Sequence, residues 1–198
     1  MGKAVESRRR AVELRAVQPA DAPLLARWRD EESIRRHQPL RDLAVADLRA
    51  ELAMLRPSDL WRSQGDRFQW ILLADRQPAG WITLQVVTWE HGLAELGYSL
   101  TSREQGKGLM PQALRLLLTD IFSGTSLRRL EARCAVENVS SQKVLERLGF
   151  VREGRLRELF ELRGRAVDNY LYALLRADWF RLAPPSRRVS SPTASKNT

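Results

Sequence analysis

The sequence predicts an α/β fold, in which a mixed, mostly antiparallel central sheet of about seven strands is flanked by about four helices. Seven short segments are strand-like, some of them alternating apolar and polar residues as strands with one buried face do, and four segments repeat apolar residues at helical spacing. Three of the strand-like segments follow one another directly between residues 68 and 100, which favours an antiparallel meander. A chain of 198 residues is long enough for one domain with a sizeable core.

The first part of the domain is predicted to form one strand and two helices. Residues 12–16 alternate apolar and charged side chains, which indicates a strand. Asp21 can cap a helix in which Leu24 and Trp28 share one face. Residues 45–55 carry leucines at helical spacing and predict a second helix.

The next segments make up the predicted meander. Residues 68–73 and 80–89 are rich in aliphatic and aromatic side chains, and residues 75–80 contain a proline and a glycine, which predicts a hairpin turn. A His-Gly pair at residues 91–92 then turns the chain into a third strand over residues 93–100.

One long helix dominates the second half of the chain. Between residues 109 and 122 the apolar residues recur at i, i+3, i+4, i+7 and onward, which is a sustained helical period. Residues 130–136 alternate as a strand, and residues 140–148 predict a short helix that ends at a glycine. Residues 150–162 and 167–175, separated by a glycine turn, predict a closing hairpin.

The positive charge is concentrated at the two ends of the chain. The formal net charge is +9, of which residues 1–10 carry +3 and residues 181–198 carry +4, leaving +2 for the rest. We therefore expect a basic N-terminal arm over residues 1–10, a folded domain over residues 11–180, and a disordered basic tail rich in proline and serine over residues 181–198. Such ends can give weak, salt-dependent affinity for nucleic acid, but a specific nucleic-acid surface is not expected.

The composition excludes several classes of protein. The single cysteine, Cys134, cannot close an intrachain disulfide, and no cysteine–histidine cluster has the spacing of a zinc site, so no metal is expected. The apolar runs are shorter than the ~18 residues of a membrane span, and the first ten residues are charged where a signal peptide would be apolar. We expect a protein of the reducing cytoplasm, with Cys134 as a small buried core residue.

Residues 103–108 form the first candidate binding motif. They lie between a predicted strand and the long helix, where free backbone N–H groups and the positive end of the helix dipole favour an anion. Gly106 and Gly108 would allow the backbone to approach that anion closely. The spacing matches neither the dinucleotide fingerprint nor the nucleoside-triphosphate loop, so the motif indicates either another pyrophosphate ligand or a simple turn.

A second motif follows about thirty residues later. Residues 137–154 place an asparagine after a strand, continue as a short helix, and close with Leu-Gly-Phe and Glu-Gly. Together the two motifs resemble the GNAT superfamily of acetyl-CoA-dependent N-acetyltransferases over roughly residues 12–176, and residues 94–100 and 138–150 resemble its RimJ/RimL branch of ribosomal-protein N-terminal acetyltransferases. The residues that match the two family motifs are Arg103, Gly106 and Gly108 in the first, and Asn138, Gly149 and Phe150 in the second.

The resemblance implies acetyl-CoA as the co-substrate. Backbone amides of the glycine loop would hold the pyrophosphate, the strand before the loop would pair with the pantetheine arm, and the start of the short helix would line the other side. The cofactor-binding residues implied in this way are Tyr98, Ser99, Leu100, Arg103, Gln105, Gly106, Lys107, Gly108, Leu109, Met110, Asn138 and Ser141.

The resemblance also implies the catalytic groups. Glu95 is the implied general base, since a glutamate in this strand removes the amine proton in several relatives, often through water. Many relatives place a tyrosine acid seven residues after the asparagine, but here Leu145 occupies that position and cannot donate a proton. Ser141 is the preferred donor to the departing thiolate, with Tyr98 or water as alternatives, and the backbone near Tyr98 would meet the oxyanion. Glu95 can equally be an exposed carboxylate or an ion-pair partner. Ser141 can equally be a first-turn residue whose side chain hydrogen-bonds the local backbone.

The predicted function is acetyl transfer to a primary amine by direct attack, because no activated nucleophile is evident. The resemblance to the RimJ/RimL branch implies a protein or peptide N-terminus as the leading acceptor. An α-amine, with a pKa near ~8 against ~10.4 for lysine, would also need less help from a base. The alternatives are a small amine, such as a polyamine, an aminoglycoside or another antibiotic, and, in another class, a catalytically silent acyl-CoA-binding regulatory domain. Residues 34–40 and 59–65 are expected to shape the acceptor groove, and the branch resemblance allows a homodimer.

Overall fold

The fold is that of a computed structural model, which describes residues 10–182. One sheet contains seven strands in the order β1-β2-β3-β4-β5-β7-β6. The strands are β1 (Val12–Ala16), β2 (Arg67–Ala74), β3 (Gln77–Thr88), β4 (Leu93–Leu100), β5 (Arg129–Ala135), β6 (Val151–Leu162) and β7 (Arg165–Leu175). The α-helices of this part of the chain are α1 (Ala22–Arg29), α2 (Glu32–Arg35), α3 (Val45–Met54), α4 (Leu109–Gly124), α5 (Val139–Arg147) and α6 (Arg176–Leu182).

The predicted fold class is confirmed. All neighbouring strands pair antiparallel except β4 and β5, which run parallel because the α4 crossover connects them. The four predicted helices correspond to α1, α3, α4 and α5. The short helices α2 and α6 were not predicted, since four residues of α2 show no helical period and α6 follows β7 without a turn signal. Trp179 of α6 is buried in the main core and anchors that helix.

The hairpin between β2 and β3 is tighter than the sequence indicated. Only Asp75 and Arg76 form the turn, both with positive φ (50° and 65°), and β3 already begins at Gln77. The predicted turn over residues 75–80 is therefore wrong in its second half. Pro78 lies inside β3, next to a register shift in the pairing with β2, where the ladder tolerates a residue without an N–H.

Two hydrophobic cores lie on opposite faces of the sheet. The neighbours Ile71 and Leu72 of β2 belong to different cores, as expected when successive side chains of a strand point to opposite faces. On one face, the apolar side of α4 packs against β3 and β4, and α5 joins the same core. On the other face, α1 and α3 cover the first strands, and Trp28 stacks on Trp81 with ring centroids 6.2 Å apart.

The two predicted tails lie mostly outside the described residues. Arg10, which was assigned to the basic arm, is part of the folded domain, because its guanidinium bonds Asp75 and Glu104. At the other end, α6 continues to Leu182. Residues 1–9 and 183–198 lie outside the described part. Within residues 10–182, no helix has the length and apolarity needed to cross a membrane.

Candidate active site

The candidate site is an opening in the middle of the sheet. The parallel ladder of β4 and β5 contains three residue pairs and ends at the pair Glu95–Glu131. Beyond it, residues 96–100 of β4 and 132–135 of β5 line a cavity of about 550 Å³. The remaining walls come from residues 33–38, from the loop and first turn of α4, and from α5. A cavity between separated parallel strands gives a ligand access to backbone groups that a complete sheet would occupy.

The unpaired edge of β4 directs backbone groups into the opening. The N–H of Thr101 donates to the carbonyl of Ala79 in β3 at 3.0 Å, so the alternation of an antiparallel ladder directs the backbone groups of Tyr98 and Leu100 away from β3 and into the opening. The carbonyl of Tyr98 accepts a bond from Gln38 Nε2 at 2.9 Å, and that of Leu100 from Gln105 Nε2 at 3.1 Å. Two glutamine side chains thus hold the edge that an extended ligand would pair with.

The glycine loop has the geometry of an anion cradle. Gly106 and Gly108 have φ of +73° and +69°, and a Cβ added at either position would meet nothing within 4 Å. The loop ends where the 16-residue helix α4 begins, so the free N–H groups of its first turn lie at this end of the cavity. The carboxylate of Glu104 is engaged by Arg10 and by Lys107 Nζ, which holds the loop and neutralises the acid nearest to it.

The lining of the cavity is positively charged. It contains Arg36, Arg133, Lys143 and Arg147, whereas none of the described lining residues is an aspartate or a glutamate. A cavity with four cations and no carboxylate attracts a polyanion and repels a polycation. Together with the glycine loop, this charge fits a ligand that carries several phosphates.

The start of α5 brings two hydroxyl groups together. The Tyr98 hydroxyl lies 2.8 Å from Ser141 Oγ and 3.3 Å from the Ser141 carbonyl. Asn138 caps α5, because its Oδ1 accepts the N–H of Ser141 at 3.1 Å. Burial raises the pKa of the Tyr98 phenol above its ordinary value, so this group stays protonated across the physiological pH range.

Cys134 lies beside these hydroxyls and is buried, as predicted, but it also lines the cavity. Its Sγ donates to the carbonyls of Ala135 at 3.6 Å and Asn138 at 3.5 Å. Burial raises the pKa of its thiol, which keeps it out of the reactive thiolate form.

Glu95 lies on the opposite face of the sheet from the Tyr98 side chain. It is three residues before Tyr98 in β4, where Tyr98 packs toward the core of α4 and α5. Its carboxylate is 3.3 Å from Nη2 of Arg133 in β5, so Glu95 is an ion-pair partner in this state. Burial raises the pKa of Glu95, Arg133 opposes that shift, and Glu131 adds to it. A carboxylate with a raised pKa at the end of the ladder suits a proton acceptor, and that role stays a prediction.

The structure brings most of the predicted residues to one cavity. Glu95, Arg103 and Lys107 are not part of its lining, and neither is the segment 59–65 that was expected at the acceptor groove. The predicted residues that line the cavity are Tyr98, Ser99, Leu100, Gln105, Gly106, Gly108, Leu109, Met110, Asn138 and Ser141.

Sequence reasoning missed Gln38, Arg133, Lys143 and Arg147 as site residues. No motif marks Gln38, which follows α2 and reaches β4 across sixty positions of sequence. The spacing of Lys143 and Arg147 at i and i+4 is a visible signal, because it places both cations on one face of α5.

Comparison with known proteins identifies the family. The model of the acetyltransferase (GNAT) domain matches residues 11–151, which is most of the described domain. The chain belongs to the GNAT acetyltransferase family. Its catalytic activity is therefore acyl transfer, and the GNAT motif positions at Gly106, Gly108 and Asn138 all lie on the cavity.

Individual GNAT relatives agree with this assignment. An uncharacterized N-acetyltransferase, p20, of Bacillus licheniformis is 29% identical over 167 residues, covering 84% of this chain and 93% of that protein. The ribosomal-protein-serine acetyltransferase of Escherichia coli is 39% identical over 80 residues, 40% of this chain and 45% of that protein. The solved structure of Mycobacterium smegmatis RimJ in complex with CoA-disulfide is 27% identical with a TM-score of 0.74, covering 88% of this chain and 85% of that one.

Proposed function

We propose that this GNAT protein transfers the acetyl group of acetyl-CoA to the α-amino group at the N-terminus of a protein or peptide, by direct attack. The observation that carries the proposal is the opening between β4 and β5. The glycine loop, Tyr98 and Ser141 lie at this opening on the face of α4 and α5, whereas Glu95 lies on the other face. A cofactor and an acceptor can therefore approach from opposite sides of the sheet and meet between the strands.

The residues of the cavity fit CoA. The amides from Gln105 to Met110 would hold the pyrophosphate above the two glycines, where space for an additional Cβ is open. The backbone of Tyr98 and Leu100 would pair with the amides of the pantetheine arm, in exchange for Gln38 and Gln105. Bound acetyl-CoA supplies an activated thioester.

Each catalytic task has a candidate residue in the protein. Glu95 would accept the proton of the acceptor amine, directly or through one water, after the amine displaces Arg133. The N–H of Tyr98, which points into the opening, would donate to the developing oxyanion. Ser141 would donate its hydroxyl proton to the leaving sulfur and regain a proton from solvent, while the Tyr98 phenol keeps its proton and donates a hydrogen bond to Ser141 Oγ.

The protein does not need an acyl-enzyme. Cys134 is the only cysteine in the chain, and its thiol has a raised pKa and two carbonyl partners. A cysteine of this kind is a poor nucleophile, and in the cytoplasmic location that we propose it would stay reduced. Cys134→Ala should therefore retain acetyl transfer.

The chemistry of the amine favours an N-terminal α-amine as the acceptor. An α-amine has a pKa near ~8 and is partly neutral at physiological pH, so one base of raised pKa is sufficient. The relative from E. coli is named as a ribosomal-protein-serine acetyltransferase, which is consistent with an acceptor of this class.

A panel of acceptors tests the proposal. Acetyl-CoA would be incubated with peptides that begin with serine or alanine, with the same peptides blocked at the N-terminus, with spermidine and with an aminoglycoside, and CoA release would be measured. We expect turnover only with free N-termini, with the acetyl group located by fragment mass spectrometry. Turnover of the blocked peptides or a preference for spermidine would contradict the acceptor assignment. CoA binding without any turnover would instead support a silent acyl-CoA-binding domain.

A further inference from the structure

We propose that Lys143 and Arg147 form a binding site for the 3′-phosphate on the ribose of CoA. This inference rests on the proposed use of acetyl-CoA. It assigns a phosphomonoester site to two residues that lie within the second motif segment but are not among the residues that match the family.

The two side chains are placed together by α5. Residues four apart share one face of a helix, and both side chains line the cavity. With a rise of about 1.5 Å per residue, Arg147 lies roughly 9 Å beyond Ser141 along the helix axis. The helix therefore leads from the reacting end of the cavity, at Ser141, to a pair of cations at its outer end.

These cations are free to bind a ligand. Neither Lys143 nor Arg147 makes an ion pair with any described residue, and both are exposed. Two other cations near the cavity are already committed, because Arg133 pairs with Glu95 and Lys107 pairs with Glu104. The acid between them in sequence, Glu146, accepts a bond from the Tyr172 hydroxyl at 3.0 Å.

The two cations also lie on the same face of the sheet as the glycine loop. Val144 and Leu145 of α5 pack into the core that contains α4, so α5 is on the same face as the glycine loop. Arg36, the other unpaired cation of the lining, follows α2, whose Ile34 belongs to the core of the opposite face. Lys143 and Arg147 are therefore the unpaired cations of the lining that share a sheet face with the glycine loop.

The chemistry of CoA requires such a site. The loop amides suit the two phosphates of the pyrophosphate, and the third phosphate is a monoester that carries about two negative charges at neutral pH. The planar fork of Arg147 can bond two of its oxygens, and Lys143 adds a point charge.

Isothermal titration with CoA and with 3′-dephospho-CoA tests the proposal without any turnover. We expect wild type to bind CoA about 10- to 100-fold more tightly, as loss of charge-assisted bonds to one phosphate predicts. The double variant Lys143→Gln/Arg147→Gln should bind both ligands within about threefold of each other, and its affinity for dephospho-CoA should equal that of wild type. The wild-type preference should also decrease as ionic strength rises.

A charge-matched control removes two exposed helix cations that are not part of the lining, Arg49 and Arg115. The variant Arg49→Gln/Arg115→Gln should keep the wild-type preference, which separates local contacts from net charge. Equal binding of the two ligands by wild type, or an unchanged preference in the Lys143/Arg147 variant, would overturn this inference alone. Failure of wild type to bind either ligand would overturn the proposed use of acetyl-CoA and this inference with it.

Discussion

The contact between Tyr98 and Ser141 makes a quantitative prediction about how the leaving thiolate is protonated. The two hydroxyl oxygens are 2.8 Å apart, and the phenol is kept protonated by its raised pKa. If Tyr98 acts only through its hydrogen bond to Ser141, the two residues form one hydrogen-bonded relay, and the effects of removing them should not add. The perturbations are Ser141→Ala, Tyr98→Phe and the double variant.

The expected magnitudes follow from the geometry. General acid catalysis contributes typically 10²–10⁴-fold, so Ser141→Ala should lower kcat by about 10², or ~2.7 kcal/mol. Tyr98→Phe leaves the serine hydroxyl in place and removes only the bond donated to it, so a loss of about tenfold is expected. The double variant should match Ser141→Ala, because the Tyr98 hydroxyl then has no relay partner.

The assay is CoA release at saturating acetyl-CoA and peptide, with thermal unfolding measured alongside. Ser141→Ala leaves the Ser141 carbonyl as an acceptor for Tyr98, so stability should decrease by only about 1 kcal/mol. Ser123→Ala, an exposed serine of α4, serves as the matched control and should behave as wild type. A kcat of Ser141→Ala within twofold of wild type would refute the relay, and so would a double variant whose loss equals the product of the single losses.

Three further predictions concern the base, the loop and the cysteine. Glu95→Gln should lower kcat/KM and remove the acidic limb of the pH–rate profile. The reason is that the pKa of Glu95 is raised, so wild-type activity should fall on acidification as the carboxylate becomes protonated. An unchanged profile would exclude Glu95 as the base. Gly106→Ala should raise the Kd for CoA about tenfold. Its control is Gly164→Ala, because Gly164 has a matching φ of +71° and equally open space for a Cβ. Both variants should lower the free energy of unfolding by about 1 kcal/mol, but Gly164→Ala should leave the Kd for CoA unchanged. Alkylation of Cys134 should be slow because the pKa of its thiol is raised, and it should be slower still when CoA fills the cavity that Cys134 lines. Intact-protein mass spectrometry would follow the labelling. A labelling rate that does not depend on CoA would contradict binding of CoA next to Cys134.

Much of the fold follows from local sequence patterns. The apolar period of α4 and the glycine after α5 appear in the structure as a helix with a buried stripe and a left-handed residue at Gly149. These features are predictable because helix periodicity and glycine conformation depend on residues close in sequence. Where a segment has no period of its own, as in α2, or is defined by what it packs against, as in α6, local pattern carries no signal.

The glycine loop belongs to the predictable part of the site. Its amides are exposed by the start of a helix, and its two glycines have positive φ, so the sequence motif carries the geometry with it. The positive charge is different. Composition assigns most of the +9 to the chain ends, yet the cations that line the cavity come from the middle of the chain, which carries only +2.

The cavity itself depends on contacts between distant segments. The β4–β5 ladder ends at Glu95, Gln38 reaches the edge of β4, and Arg133 meets Glu95 across the gap between strands. Each contact joins residues 36 to 61 positions apart, so no short window of sequence contains both partners. Local chemistry defined a glycine loop before a helix and an α/β fold with GNAT motifs, whereas packing of the whole chain placed Glu95 on one sheet face and Tyr98 and Ser141 on the other.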